Sequence, residues 1–348
     1  MPKLLTSPIK CGVIGYGGSF NMGRGHLDEM KLAGMLPTAV CELDSTRLEQ
    51  ASRDFPGIGL FNSVETMLAE SAVELLAIIT PHNTHAPLAI QCLNAGRNVV
   101  SEKPMAITTR QCDDMIAAAE RTDGLVSVSA NRPWDGHLIQ AVDHLVKQRL
   151  VGEIVRINIH WGGRAMPRDW WRSDRSMSGG ILYDWGVHLL EYALQLLPSA
   201  KCVEVTGFAK EGYWVGKSPA AKQWHPNANE DDARLIARMD SGVAIDLTVT
   251  QIDDVAKPHA FEVIGTDGHY SMTFNTWTRT YNDGPKKIIE SGPQPPGEPM
   301  KLYQNVSDHL TRGERLVITP EYARRMIHFI DLAGQSAKAN RSLATTYR

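Results

Sequence analysis

In the first third of the chain, short apolar runs alternate with segments whose apolar residues fall at helical spacing. Residues 10–15, 38–41, 75–80, 98–101 and 125–130 read as strands. Between them, 26–34, 45–54, 64–69, 85–95 and 108–120 read as helices. Ser45 and Thr108 stand where helix caps belong, and Gly96 where a helix should end. Strands and helices alternating at this pace predict βαβ units around a parallel sheet.

After residue 130 the pattern changes. A helix is expected over 136–148, a period-two strand over 154–161 and a long apolar helix over 181–197. Strands then dominate, at 202–209, 233–239, 243–251, 260–265 and 269–274, before a terminal helix over 320–339. Their alternation predicts a sheet with one buried face, and Asp240-Ser241-Gly242 reads as a hairpin turn within it. The class is therefore α/β, with a nucleotide-binding type of domain over 1–130 and a second, mainly antiparallel domain over 131–348.

Composition narrows the function. A chain of 348 residues is long enough for two cores, and its net charge of -3 argues against a nucleic-acid or anionic-membrane partner. No apolar run approaches the ~18 residues of a membrane span, and MPKLLTSPIK lacks a secretory core. Cys11, Cys41, Cys92, Cys112 and Cys202 are dispersed without metal spacing. They suggest reduced core thiols, no metal and a cytoplasmic protein.

Two segments carry candidate chemistry. Gly12-Val13-Ile14-Gly15-Tyr16-Gly17-Gly18 follows a strand. Glycines there let the backbone turn tightly and approach a pyrophosphate lying on the next helix N-terminus. Phe20 occupies the usual place of a third glycine, and Gly23 can serve instead if Ser19-Phe20-Asn21 is an insertion. Glu42 closes the second strand, where a carboxylate can bind both ribose hydroxyls and so favour NAD over NADP. Asp44 is an alternative reader, and Arg47 would suit NADP. The second segment leads from Gly179-Gly180 to Asp184 and His188, which share a helix face if the helix is continuous, with Glu191 and Gln195 extending the stripe. That stripe is either a solvent face or a buried acid–base pair. Lys103, after the strand at 98–101, sits at a carboxyl end, where open α/β sheets bind ligands.

Gly15-Tyr16-Gly17-Gly18 with Met22-Gly23-Arg24-Gly25-His26, Thr80-Pro81-His82-Asn83-Thr84-His85, Glu102-Lys103-Pro104, Asn131-Arg132 and Asp184-Trp185-Gly186-Val187-His188 occur in that order. Together they resemble the glucose–fructose oxidoreductase / inositol dehydrogenase (Gfo/Idh/MocA) family. The resemblance implies a Rossmann domain followed by an α/β domain whose large open sheet forms a homo-oligomer interface, as dimer or tetramer. It implies that Lys103, Asp184 and His188 are catalytic, and that Gly15, Gly17, Gly18, Gly23, Glu42, Thr80, Pro81, Asn83, His85, Glu102 and Asn131 line the cofactor. The extended glycine loop departs from the family pattern and leaves the pyrophosphate contacts open.

The expected reaction is hydride transfer between NAD and a CH–OH carbon of a sugar or polyol. His188 would be the base, Asp184 its orienting partner and Lys103 the group that fixes the hydroxyl. Trp161, Trp170 and Trp171 beside Arg164, Arg168 and Arg172 suit a polyhydroxylated substrate, and Trp161, Arg164, Trp171 and Arg172 are the named candidates. The same tryptophans could instead pack the domains or an oligomer interface. Tyr213-Trp214 through Trp224-His225 would form a second aromatic loop. Two other readings keep the fold: a redox glycosidase or lyase working through a transient keto-sugar, and a non-catalytic NAD sensor.

Overall fold

A computed structural model describes residues 4–18, 21–217, 227–255, 257 and 260–345. Ser19, Phe20, Trp224 and His225 lie outside the described residues. The chain divides into two compact units, Met1–Asn131 with Pro299–Arg325, and Arg132–Glu298 with Met326–Arg348.

The first unit contains a six-stranded parallel sheet in the order β3-β2-β1-β4-β5-β6. Its strands are β1 (Lys10–Ile14), β2 (Leu36–Cys41), β3 (Gly59–Phe61), β4 (Leu75–Ile78), β5 (Asn98–Ser101) and β6 (Val126–Val128). That order reverses direction at β1 and β4, which is the doubly wound dinucleotide-binding topology. The helices are α1 (Met22–Leu32), α2 (Ser45–Asp54), α3 (Val64–Glu70), α4 (His82–Asn94) and α5 (Thr109–Thr122). Strands β4, β5 and β6 are buried along their whole length, as a parallel sheet covered on both faces requires. Thr108 caps α5 by accepting from Gln111 N–H. The cap of α2 is Asp44 rather than Ser45, because the Asp44 carboxylate accepts from Thr46 N–H at 2.9 Å. Helices α1 and α4 begin earlier than the expected 26 and 85, since glycines and a proline replace the apolar residues that would mark their first turns.

The second unit contains a nine-stranded sheet in the order β14-β13-β12-β11-β7-β10-β9-β8-β15. Its strands are β7 (Ile154–Gly162), β8 (Cys202–Lys210), β9 (Asp232–Met239), β10 (Ala244–Thr250), β11 (Phe261–Gly265), β12 (Gly268–Met272), β13 (Thr276–Asp283), β14 (Lys286–Pro293) and β15 (Leu343–Ala344). Only β7 and β10 run parallel; the other pairs are antiparallel. The 240–242 turn joins β9 to β10 as expected. Helix α6 (Gly136–Val142) continues as a π-helical turn to Lys147, and α7 (Arg175–Ser178) is a single turn. The long apolar helix is interrupted. A 3₁₀ turn over Ile181–Tyr183 ends at Asp184, and α8 (Trp185–Leu196) starts after it. Asp184 therefore stands at the helix entrance with φ -85° and ψ -81°, not four residues along a continuous helix from His188.

Several elements have no counterpart in the sequence reading: β3, α7, β13, β14, β15 and the helix Lys301–Arg312. The β13–β14 hairpin is half-exposed to exposed along nearly all its length, so no period-two apolar pattern marks it. Helix α9 (Lys301–Arg312) buries Leu302, Tyr303, Val306 and Leu310 on one face, and it belongs to the first unit. The last helix, α10 (Pro320–Ala339), begins among residues of the first unit and ends among those of the second. The five cysteines are free and buried, and among the described residues no helix is long and apolar enough to cross a membrane.

Gly207 of β8 lies against the backbone of α10, where a Cβ would fall 1.9 Å from the Ala333 carbonyl oxygen. Gly207→Ala is expected to destabilise the second unit by about 1–3 kcal/mol, seen as a lower denaturant midpoint with unchanged slope.

Candidate active site

The glycine turn after β1 is shaped by backbone contact. Gly15 has φ +92°, and a Cβ there would lie 2.1 Å from the Ile79 carbonyl oxygen at the end of β4. Its N–H donates to the Cys41 carbonyl at 2.8 Å, tying the turn to the end of β2. Gly18 has φ +69° and open space where a Cβ would be. Gly23, inside α1, is pressed on the turn: a Cβ would lie 2.7 Å from the Gly15 carbonyl oxygen. Gly23 thus fills the third-glycine position. Asn21, the residue before α1, makes no side-chain cap, so the first turn of the helix keeps its N–H groups for another acceptor. A cradle with this shape fits a pyrophosphate.

The end of β2 adds a carboxylate. Glu42 accepts from Tyr16 N–H at 2.8 Å and from Leu43 N–H at 2.7 Å, which holds it beside the glycine turn. Asp44 is committed to capping α2, and its bond from Thr46 lowers its pKa. The side chain of Arg47 lies along Gly17, with its Cγ 2.8 Å from where a Cβ would be.

The loops after β4 and β5 are clasped by one histidine. Fully buried His85 lies between the Pro104 carbonyl, 2.7 Å from Nδ1, and the Thr80 carbonyl, 2.9 Å from Nε2. Burial lowers its pKa, against the opposing pull of those two carbonyls. Thr80 and Thr84 are joined through their hydroxyls at 2.6 Å, and the Asn83 side-chain carbonyl is a buried acceptor without a protein partner. An orphaned acceptor at this place fits a group that brings its own donor, such as a carboxamide.

Beside Lys103, Glu102 is nearly enclosed. Burial would raise its carboxyl, but His26 outweighs this by hydrogen bond and charge, with help from Lys103 and Ser129, and the pKa falls to about 2. Its oxygens accept from Lys103 N–H at 3.0 Å and face His26 Nε2 at 3.0 Å.

In the second unit, α8 is buried on nearly every side, including His188 and Glu191, which excludes a solvent face for the polar stripe. Arg132 Nε–H donates to His188 Nδ1 at 2.9 Å, and its Nη1 donates to Asp135 at 2.9 Å. Asp135 also accepts from the Tyr192 hydroxyl at 2.9 Å. Burial opposes the Arg132 charge, but Tyr192, Asp135 and Glu191 more than compensate and raise its pKa. Asp184 receives Arg172 Nη1 at 3.1 Å on each oxygen. That guanidinium also stacks over Trp170 and Trp171, 5.3 and 5.1 Å from their ring centres.

Residues 9–130 match the model of an oxidoreductase family with an NAD-binding Rossmann fold, GFO_IDH_MocA, and residues 139–271 match the GFO/IDH/MocA C-terminal domain. The chain belongs to this family. It is an NAD(P)-dependent oxidoreductase. A scyllo-inositol 2-dehydrogenase (NADP(+)) of Bacillus subtilis is 24% identical to this oxidoreductase over 96% of the chain and 95% of its own length. An NAD-binding protein of Listeria innocua has the same fold, with TM-score 0.82, 23% identity and coverage of 97% of both chains. So does a levoglucosan dehydrogenase solved with NADH and levoglucosan, with TM-score 0.82, 16% identity and coverage of 97% and 99%.

Among the sequence candidates, the structure gathers Gly15, Gly17, Gly18, Gly23, Glu42, Thr80, Pro81, Asn83 and Lys103 at the carboxyl ends of β1, β2, β4 and β5 in the oxidoreductase. His85 lies beneath these loops, with no exposed surface, and holds them rather than lining them. Asn131 closes the first unit just beyond β6. Trp161 stacks on Trp185, centroids 4.2 Å apart, so one indole face serves packing. Arg164 pairs with Asp254 at 2.6 Å and lies over Tyr213 and Trp214, a cluster of its own. Asp184 was expected to orient His188; its carboxylate meets Arg172, and Arg132 bonds to the imidazole. Sequence reasoning missed Arg132, His26 and Tyr303. Arg132 was quoted only beside Asn131 and His26 only as the end of the glycine segment, with no role given, and nothing local marks Tyr303.

A neutral imidazole that accepts at Nδ1 carries its proton on Nε2. Nitrogen-15 NMR of the oxidoreductase is therefore expected to show His188 as the Nε2–H tautomer, and Arg132→Met to lose that preference. An Nδ1–H tautomer in the unsubstituted protein would contradict the Arg132 contact.

Proposed function

We propose that this oxidoreductase moves a hydride between NAD and a CH–OH carbon of a sugar, polyol or sugar derivative, with Lys103, Asp184 and His188 acting at the substrate. The observation that carries the reading is the clasp made by His85, which joins the loop of Thr80 and Asn83 to the loop of Lys103 beside the glycine cradle. When bound, the nicotinamide supplies the hydride acceptor or donor. The named substrates of the two dehydrogenase relatives, scyllo-inositol and levoglucosan, support a polyhydroxylated class.

The roles of the acting residues differ from the first expectation. With Arg132 at Nδ1, the neutral His188 ring offers Nε2–H, a donor to the substrate oxygen and not a base. The proton then passes between that oxygen and the Lys103 amine: Lys103 takes it in oxidation and returns it in reduction. Asp184 and Arg172 hold neighbouring hydroxyls, the carboxylate accepting and the guanidinium donating. Exposed apolar residues of the large sheet, Val155, Phe208 and Ile289, support a homo-oligomer formed through it, in a cytoplasmic protein.

Lys103→Met is expected to lower kcat about 10²–10⁴-fold with NAD binding kept. His188→Gln, which retains an N–H, should keep more activity than His188→Leu. Equal losses in the two histidine variants would return the base to His188. A screen of sugars, inositols and uronates, read at the NADH absorbance, tests the reaction itself. Aglycone release without NADH would replace it with the redox-neutral alternative.

NAD is preferred in this reading because the Glu42 carboxylate is held beside the glycine turn at the end of β2, while Asp44 is spent as a cap. Arg47 along Gly17 supports NADP as the second reading. Glu42→Ser is expected to reduce the kcat/KM preference for NAD over NADP by about tenfold or more. An unsubstituted enzyme that prefers NADP, or an unchanged ratio, would transfer the reading to Arg47.

A further inference from the structure

Beneath Lys103 runs a chain of buried polar groups drawn from three distant parts of the sequence. The Tyr303 hydroxyl on α9 lies 2.5 Å from His26 Nδ1, and His26 Nε2 lies 3.0 Å from Glu102. Glu102 in turn holds the Lys103 backbone N–H at 3.0 Å. Tyr303 is fully buried and His26 nearly so. An ionised Glu102 can only accept, so His26 Nε2 carries a proton toward it. At Nδ1 the ring accepts from the Tyr303 hydroxyl when neutral and donates to it when charged. In either state each link of the chain Tyr303, His26, Glu102, Lys103 N–H joins a donor to an acceptor.

We propose that His26 and Tyr303 are positioning residues for Lys103. They keep Glu102 ionised in a buried place, and Glu102 fixes the backbone that aims the lysine. This rests on the reading that Lys103 acts in the reaction. The groups facing Glu102 are His26 and Glu29 from α1, His85 from α4, Lys103 and Ser129 from the strand ends, and Tyr303 from α9. Of these, His26 is the largest influence lowering the Glu102 pKa, and burial is what it opposes. Without it, burial and the like charge of Glu29 drive the carboxyl upward.

The test uses the full chain. Carbon-13 NMR of the Glu102 carboxyl, without cofactor, is expected to show it ionised down to about pH 3 in the unsubstituted protein, consistent with a pKa of about 2. In His26→Leu its protonation should move above the ordinary carboxylate range. His26→Gln supplies an N–H for Glu102 and a carbonyl for Tyr303 without the charge, and should bring the Glu102 titration part of the way back down. In kinetics, His26→Leu should lower kcat about tenfold or more. It should also add an acid limb to the kcat profile, because activity disappears as Glu102 gains a proton. The KM for the polyol substrate should change little, and in His26→Gln the new limb should lie at lower pH than in His26→Leu. Tyr303→Phe removes one oxygen with little risk to folding, and should give a smaller loss in the same direction. A His26→Leu enzyme that is less stable but keeps its kcat and pH profile would overturn the proposal, as would an unmoved Glu102 titration. Lys103→Met separates the two readings: full turnover in that variant defeats the role of Lys103, while the Glu102 titration still reports the relay.

Discussion

A carboxylate taken out of water must be met by donors, and Glu102 is the place where that requirement organises the dinucleotide-binding unit. Its position after β5 would be a surface site in a simpler sheet. Here α1 lies over it through His26, and α9 meets that histidine through Tyr303. The segment far along the chain that returns to the first unit buries Leu302, Tyr303, Val306 and Leu310, and Tyr303 adds a polar bond to His26. The helix that follows the glycine turn must also come close: His26 can bond to Glu102 only if α1 approaches the sheet.

That approach is possible because Gly23 has no side chain. A single methyl would strike the Gly15 carbonyl oxygen and the Tyr16 backbone. The same two glycines that shape a pyrophosphate cradle thus bring the buried histidine into bonding distance of Glu102. Cofactor geometry and lysine geometry are set by one contact between a turn and a helix.

The second unit solves a similar problem with the opposite sign. Arg132 is a buried cation, and its charge is met by Asp135, with Tyr192 and Glu191 nearby. Its Nε–H is given to His188, which decides where that ring holds its proton. The sharp backbone at Asp184 releases that residue from the face of α8 and turns it to Arg172. The two side chains expected to form an acid–base pair are each also met by an arginine. For a polyol site, this separates the binding of hydroxyls from the handling of the reacting oxygen.

Much of this was determined by the sequence alone. Period and turn residues marked the alternating strands and helices of the first unit, because each buries its apolar positions locally and completely. The order of the glycine, Glu102-Lys103-Pro104 and Asp184–His188 segments identified the family, since such spacing is imposed by chemistry at strand ends. The tertiary structure alone decided the partners. Whether Asp44 caps or reads a cofactor, whether Gly23 is the third glycine, and which group bonds His188 all depend on distances between segments far apart in sequence. The β13–β14 hairpin escaped notice because exposed strands carry no apolar alternation. His26 and Tyr303 escaped it because a histidine or a tyrosine acquires meaning only from the group it faces, and folding alone brings helix α9 to helix α1.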